Sequence, residues 1–193
     1  MDPQLKTVVE HLNASRFAEA AAGCRAILKK APRNADALHF LGLAEWQMGG
    51  AAESAIKLIQ QAIARAPNHS FMHHNLASVL GSTGQLGEAE RHFDKAIKLK
   101  PDYAEAYFNL SGIKKFSSDD PAIAAMKSLY AAPGLSRPDR EFICYALSKA
   151  HDDVGAYEEA FHFALEGARM KQVTFDAEAF KTSVAELQSR ITA

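Results

Sequence analysis

The chemistry available to this chain starts with histidine. Eight of the 193 residues are histidines, and three of them crowd into "NHSFMHHN" as His69, His73 and His74, with His39 and His92 on either side. Imidazole can ligate a metal, carry a proton near neutral pH, or serve as one donor and one acceptor in a hydrogen-bond network. A zinc site needs three or four converging ligands. His73 and His74 are neighbours, and on a helix they diverge by about 100°. His39 and His74 fall at equivalent places of a repeated pattern, but two ligands do not close a site. No metal is expected, and a pH-sensitive surface is the alternative use. Asn75 and Asn109 each precede a small-residue pair, in "HNLA" and "FNLS". A carboxamide offers both donor and acceptor, so stacked asparagines could pair with the backbone of an extended peptide or simply join neighbouring helices.

The other reactive groups read as structural. Cys24 and Cys144 lie inside apolar helical patterns with no CxxC spacing, as buried thiols in a reducing compartment would. Neither has an oxyanion site nearby in sequence to make it a nucleophile. Asp119–Asp120 and Asp152–Asp153 suit helix caps and turns. No glycine-rich phosphate loop occurs, so no nucleotide cofactor and no catalytic centre are expected.

Bulk properties narrow the classes further. The 22 basic and 23 acidic residues leave a formal charge of -1, which provides no basic footprint for nucleic acid. The start "MDPQLKTVVEHL" lacks the basic-then-apolar layout of a signal peptide. No run of about 18 apolar residues is present to span a membrane. A cytoplasmic protein with neither nucleic-acid nor membrane partners is expected.

The elements that must position these residues come from a repeat. Around "HHNLASVLGSTGQLGEAERHFDKAIKLKP", Leu76 and Ala77 sit where two helices approach closely, Gly84 at a turn, and Ala89, Phe93 and Ala96 on one stripe of a second helix that Pro101 ends. Leu38, Leu41, Gly42, Ala55, Ile59, Ala62 and Pro67 repeat the scheme over residues 35–69, with one extra residue in the turn "GGAAES". Residues 1–34 are a poorer copy, carrying Leu5, Val8, Leu12, Phe17, Ala20, Cys24, Ile27 and Pro32, with Asp2 and Pro3 as a helix start. A fourth copy begins at 104 and then departs: "SSDDP" starts a new helix with Asp120 as cap and Pro121 in first position. The expected organisation is tandem hairpins over 1–116 (1–34, 35–69, 70–103, and the start at 104), a divergent helix and linker over 117–140, and a hairpin plus a capping helix, Asp176–Ile191, over 141–193.

This pattern resembles the tetratricopeptide repeat, a helix–turn–helix of about 34 residues. The resemblance implies an all-α fold, a right-handed α-solenoid whose first helices line a concave groove that binds a protein or peptide segment. Inward positions on those first helices would be His39, Leu43, Trp46 and Gln47; then Phe71, His74, Asn75 and Ser78; then Phe108, Asn109, Gly112 and Lys115. His39, Trp46, Phe71 and Phe108 would give apolar and stacking contacts, and Asn75 and Asn109 would resemble the asparagine ladders of superhelical repeat proteins. Chaperone-tail clamps of this fold hold a terminal carboxylate with lysines. Here Glu105 stands where a lysine is needed and would repel it, so that partner is not expected. The stretch with "DDPAIAAM", "YALSKAHDDVGAYEEAF" and "EGARMK" is also similar to the segment joining repeats to the catalytic domain in bacterial repeat-containing sulfotransferases. That resemblance implies a recognition region for a catalytic domain beyond residue 193. Weak self-association through the groove or an uncapped end is the structural alternative.

Overall fold

The computed structural model describes residues 3–170, and the expected capping helix at 176–191 lies outside the described residues. Ten helices follow one another: α1 (Pro3–Asn13), α2 (Phe17–Lys30), α3 (Ala35–Gln47), α4 (Ala52–Arg65), α5 (Ser70–Ser82), α6 (Leu86–Leu99), α7 (Ala104–Ser111), α8 (Pro121–Ala131), α9 (Arg137–Asp153) and α10 (Tyr157–Met170). No strand occurs among the described residues. The chain is an all-helical solenoid: α1–α2, α3–α4 and α5–α6 are hairpins, each second helix packs on the first helix of the next hairpin, and α9–α10 closes the series.

Local chemistry sets the ends of these helices. Asn34 accepts a hydrogen bond from the Ala37 N–H at the start of α3 (2.9 Å), and Asp120 accepts from Ala122 N–H (2.9 Å) with Pro121 in the first turn, as the sequence reading expects. The hairpin turns need a left-handed residue. Gly49, Gly84 and Gly155 fill that place at φ 81°, 79° and 76°, whereas the first hairpin uses Ser15 at φ 55°.

Packing explains the small-residue positions. Ala20, Ala44, Ala55, Ala62, Ala77, Ala89 and Ala96 are wholly buried, alternating with large residues such as Ile59, Leu76, Leu80 and Phe93. A Cβ on Gly42 would lie 3.0 Å from the carbonyl oxygen of Ala55 and 3.1 Å from Ile59, so α3 and α4 touch there backbone to backbone. No hairpin could bury its apolar stripe alone, and stacking on a near-copy resolves that.

The regular pattern breaks after Ser111. α7 is only eight residues long, and residues 112–120 form a loop. Two contacts draw the chain out of the helix. Phe116 enters a core shared with Ile143, Met126 and Leu147, and its N–H donates to Asp153 Oδ2 (3.1 Å). Lys114 turns back to Asp120 at 2.9 Å. α7 and α8 therefore both pack on the long helix α9.

Candidate partner-binding groove

The first helices α3, α5 and α7 carry the histidines and asparagines, and these side chains are joined in one chain of hydrogen bonds. Asn75 Nδ2 lies 3.0 Å from His39 Nε2, and Asn109 Nδ2 lies 2.9 Å from His74 Nε2. A carboxamide nitrogen only donates, so both imidazole Nε2 atoms accept. His74 then carries its proton on Nδ1 and donates it to Asn75 Oδ1 at 3.3 Å. The relay reads Asn109 to His74 to Asn75 to His39, crossing three successive first helices. By the same logic His39 keeps its proton on Nδ1, a buried atom with no hydrogen-bond partner among the described residues.

This arrangement changes the roles expected of four residues. His39 and His74 are 1% and 4% exposed, so neither reaches a partner as a stacking ring. They serve instead as acceptors between repeats. Asn75 and Asn109 are half-buried and donate into those imidazoles, which takes up one N–H of each amide. The physical reason is that a first helix packs so closely on its predecessor that a side chain one position from the seam meets the neighbour before it meets solvent. Burial also holds the imidazoles neutral. His39 is pulled down to about 4 by burial and by the nearby His69, and His74 is lowered by burial despite opposing effects of Glu105 and Asn75.

The aromatic residues are placed differently. Phe71 on α5 is 48% exposed and Phe108 on α7 is 36% exposed. Phe71 meets His39 edge-on (5.2 Å between ring centres), and Phe108 leans on Phe142 (5.3 Å) and Tyr145 (6.3 Å) of α9. Each ring is thus braced on one side while its other side is open. A cavity of about 330 Å³ is lined by Ala77, Ser78 and Gly81 of α5, Phe93 of α6, Asn109 of α7 and Ile113, and neither phenylalanine is part of its wall. Ser78 holds its hydroxyl to the His74 carbonyl (3.1 Å) and so presents an acceptor at that wall.

The remaining candidates divide. Leu43 and Trp46 are half-buried and pack against the central apolar cluster, while Gln47 is exposed at the end of α3. Gly112 and Lys115 do not sit on a first helix, because α7 ends at Ser111 and both lie in the following loop. Cys24 and Cys144 are buried, and burial pushes their thiols up to about 12 and about 11, which makes both inert. Among the described residues, no group of three metal-ligating side chains converges.

Sequence reading missed two features. His73 and His92 pair through their Nδ1 atoms at 3.0 Å across the hairpin α5–α6, with His73 Nε2 donating to the Pro67 carbonyl (3.0 Å). Both histidines are lowered by burial, and His92 also by His73. Nineteen positions separate them, and the hairpin register that joins them was already legible in Ala77 and Ala89. Phe142 and Tyr145, which brace Phe108, belong to α9 and are neighbours of α7 only because the intervening helix is displaced.

Stacked helical hairpins with an open face on the first helices define a repeat-built binding scaffold. Models of the tetratricopeptide repeat match residues 5–70 and residues 77–111, and the chain carries tetratricopeptide repeats over those residues. Protein FlbA of Caulobacter vibrioides is 25% identical over 126 residues, which are 62% of this chain and 21% of that protein. The chain therefore spans about a fifth of the length of that relative. Among solved structures, PilF of Pseudomonas aeruginosa superposes with a TM-score of 0.69 at 16% identity, covering 88% of this chain and 76% of that one. YrrB, described as a TPR protein with an unusual peptide-binding site, gives 0.64 at 15% identity over 94% of this chain and 91% of that one. At such identities the likeness is one of fold. The sulfotransferase resemblance gains no support from these relatives. No helix among the described residues is long and apolar enough to cross a membrane.

Proposed function

We propose that the chain is a non-catalytic interaction module that takes a partner's peptide or helix along the face formed by α5 and α7. The observation that carries this reading is the contrast between polar and aromatic residues on that face. His39, His74 and one N–H of each asparagine are spent on contacts between repeats, while Phe71 and Phe108 stay exposed at 48% and 36%. Two braced, half-open rings offer apolar anchorage with little side-chain entropy left to lose on binding. Ser78 and Asn109, at the cavity wall, supply the polar contacts that would set the direction of the bound segment. The expected ligand is a segment with two apolar side chains, one seated at each phenylalanine.

A random peptide library displayed on phage, selected against the purified chain, tests this. Selected peptides should carry paired apolar residues and lose at least tenfold in affinity against Phe71→Ser with Phe108→Ser. Peptides that bind the double variant equally well would place the binding elsewhere. The alternative that these repeats form the recognition arm of a sulfotransferase has no observation in its favour. Self-association through the groove would show as a mass that rises with concentration and falls back in the same double variant.

A further inference from the structure

The break in the repeat after Ser111 leaves a gap in the packing. In each upstream unit the second helix follows a short turn, but here residues 112–120 intervene and α8 begins only at Pro121. Between α6, α7 and the first turns of α8 lies a cavity of about 360 Å³. That volume falls within the range of about 300–1,000 Å³ typical of small-ligand pockets. It shares no wall residue with the cavity at Ser78 and Asn109.

Three carboxylates, Glu90, Asp94 and Asp120, gather here around one ammonium. Lys114 is held by Asp120 at 2.9 Å and by Glu90 at 3.7 Å, so its charge is spent on those two. Asp94, on the cavity wall, makes no hydrogen bond or ion pair among the described residues. Burial raises its carboxyl above the ordinary range; Lys114 opposes that rise, and Glu90 and Asp120 add to it. Tyr107, on the same wall, is 2% exposed, and its hydroxyl has no hydrogen-bond partner among the described residues. Burial also raises this phenol, which keeps it protonated and neutral. A buried hydroxyl left unpaired costs free energy, which a donor entering the cavity would recover. The remaining wall is apolar, formed by Ile97, Ala122 and Ala125 among others.

We propose that this cavity is a second binding site, separate from the groove, which takes a guanidinium group on a short aliphatic stem. The excess of negative charge selects a cation, and the unpaired Asp94 receives it. A planar guanidinium carries five N–H donors, so it serves the Asp94 carboxylate and the Tyr107 oxygen together better than a compact ammonium does. Ile97, Ala122 and Ala125 cover the stem. A free alkylguanidine and an arginine of a partner chain share this chemistry.

Titration of the full chain with butylguanidine, followed by the amide NMR signals of Ala122 and Ala125, tests this. Tyr107→Phe and Asp94→Asn each remove one acceptor while keeping the shape of the wall. Glu53→Gln, on an exposed position of α4, is the control for general surface charge, and neutral butylurea is the control for the stem. The expected result is saturable shifts at Ala122 and Ala125, with affinity at least fivefold weaker in both cavity variants. Glu53→Gln should bind as the native chain does, and butylurea should not bind. Affinity unchanged in either cavity variant would overturn the proposal, as would shifts that grow linearly with concentration. An acetylated pentapeptide of four alanines around one arginine then separates the sources. Displacement of butylguanidine by the peptide assigns the site to a partner's arginine, and no displacement assigns it to a free alkylguanidine.

Discussion

Asn75 donates from Nδ2 to His39 Nε2 across 3.0 Å, joining residues 36 positions apart in sequence. The same pair recurs one repeat later as Asn109 and His74 at 2.9 Å. These bonds tie first helix to first helix and so fix the curvature of the face that carries Phe71 and Phe108.

Removing a donor from this relay leaves a buried imidazole nitrogen without its partner. Asn75→Ala should destabilise the chain by about 1–3 kcal/mol, the usual cost of an unsatisfied buried acceptor. Urea unfolding of the purified variant checks this, and Asn109→Ala should behave alike. The His74–Asn75 hydrogen bond links the two contacts, so the double variant should lose less than the sum of the two.

Acid should unfold the protein through its histidines. His39, His73, His74, His92 and His151 all have folded pKa values below their ordinary value, with burial as the leading cause. Below about pH 6.5 the unfolded chain binds protons that the folded chain refuses, so stability falls as pH drops through that value. For His39 the loss continues to about 4 and then levels. At full extent it is worth about 3 kcal/mol for this one group. Urea midpoints should therefore be lower at pH 5 than at pH 7.5. In His39→Gln, whose amide oxygen can still accept from Asn75, the slope should be shallower.

The left-handed turn positions give opposite results in different hairpins. Ser15 sits at φ 55° where the other hairpins have glycine, so Ser15→Gly should gain about 0.5–1 kcal/mol. Gly84 at φ 79° has no neighbour within 4 Å of an added Cβ, and Gly84→Ala should lose about 1 kcal/mol through backbone strain alone. Thermal melts of the two variants read both signs.

Close approach of α3 and α4 predicts a larger penalty. A methyl group at Gly42 meets the backbone oxygen of Ala55, which cannot swing aside as a side chain tip would. Gly42→Ala should cost about 1–3 kcal/mol. An equally buried glycine facing a ring, Gly167 against Tyr145 at 3.1 Å, should cost less if the ring tilts away.

The sequence made the hairpins readable because each leaves a local signature. Gly49, Gly84 and Gly155 mark turns, Pro32, Pro67 and Pro101 mark the links, and Ala20, Ala55 and Ala89 recur in phase. Asp120 and Pro121 likewise announce α8 through a capping bond spanning two residues. The site was less legible. Whether His39 faces the groove or the seam between repeats depends on how closely two helices pack, and that is set by residues more than thirty positions away. The early end of α7 was hidden for a similar reason: Phe116 and Lys114 are drawn off by Asp153 and Asp120, which no helical periodicity reports.

The claim that matters most is that the exposed aromatic pair, rather than the asparagines, anchors a partner. Fluorescence polarisation of one library-selected peptide should be measured against the native chain, Phe71→Ser with Phe108→Ser, and a Gln60→Ala control on an exposed position of α4. A loss of at least tenfold confined to the phenylalanine variant, with its helical circular dichroism intact, is the predicted result. Equal affinity across all three, with the fold intact, would contradict it.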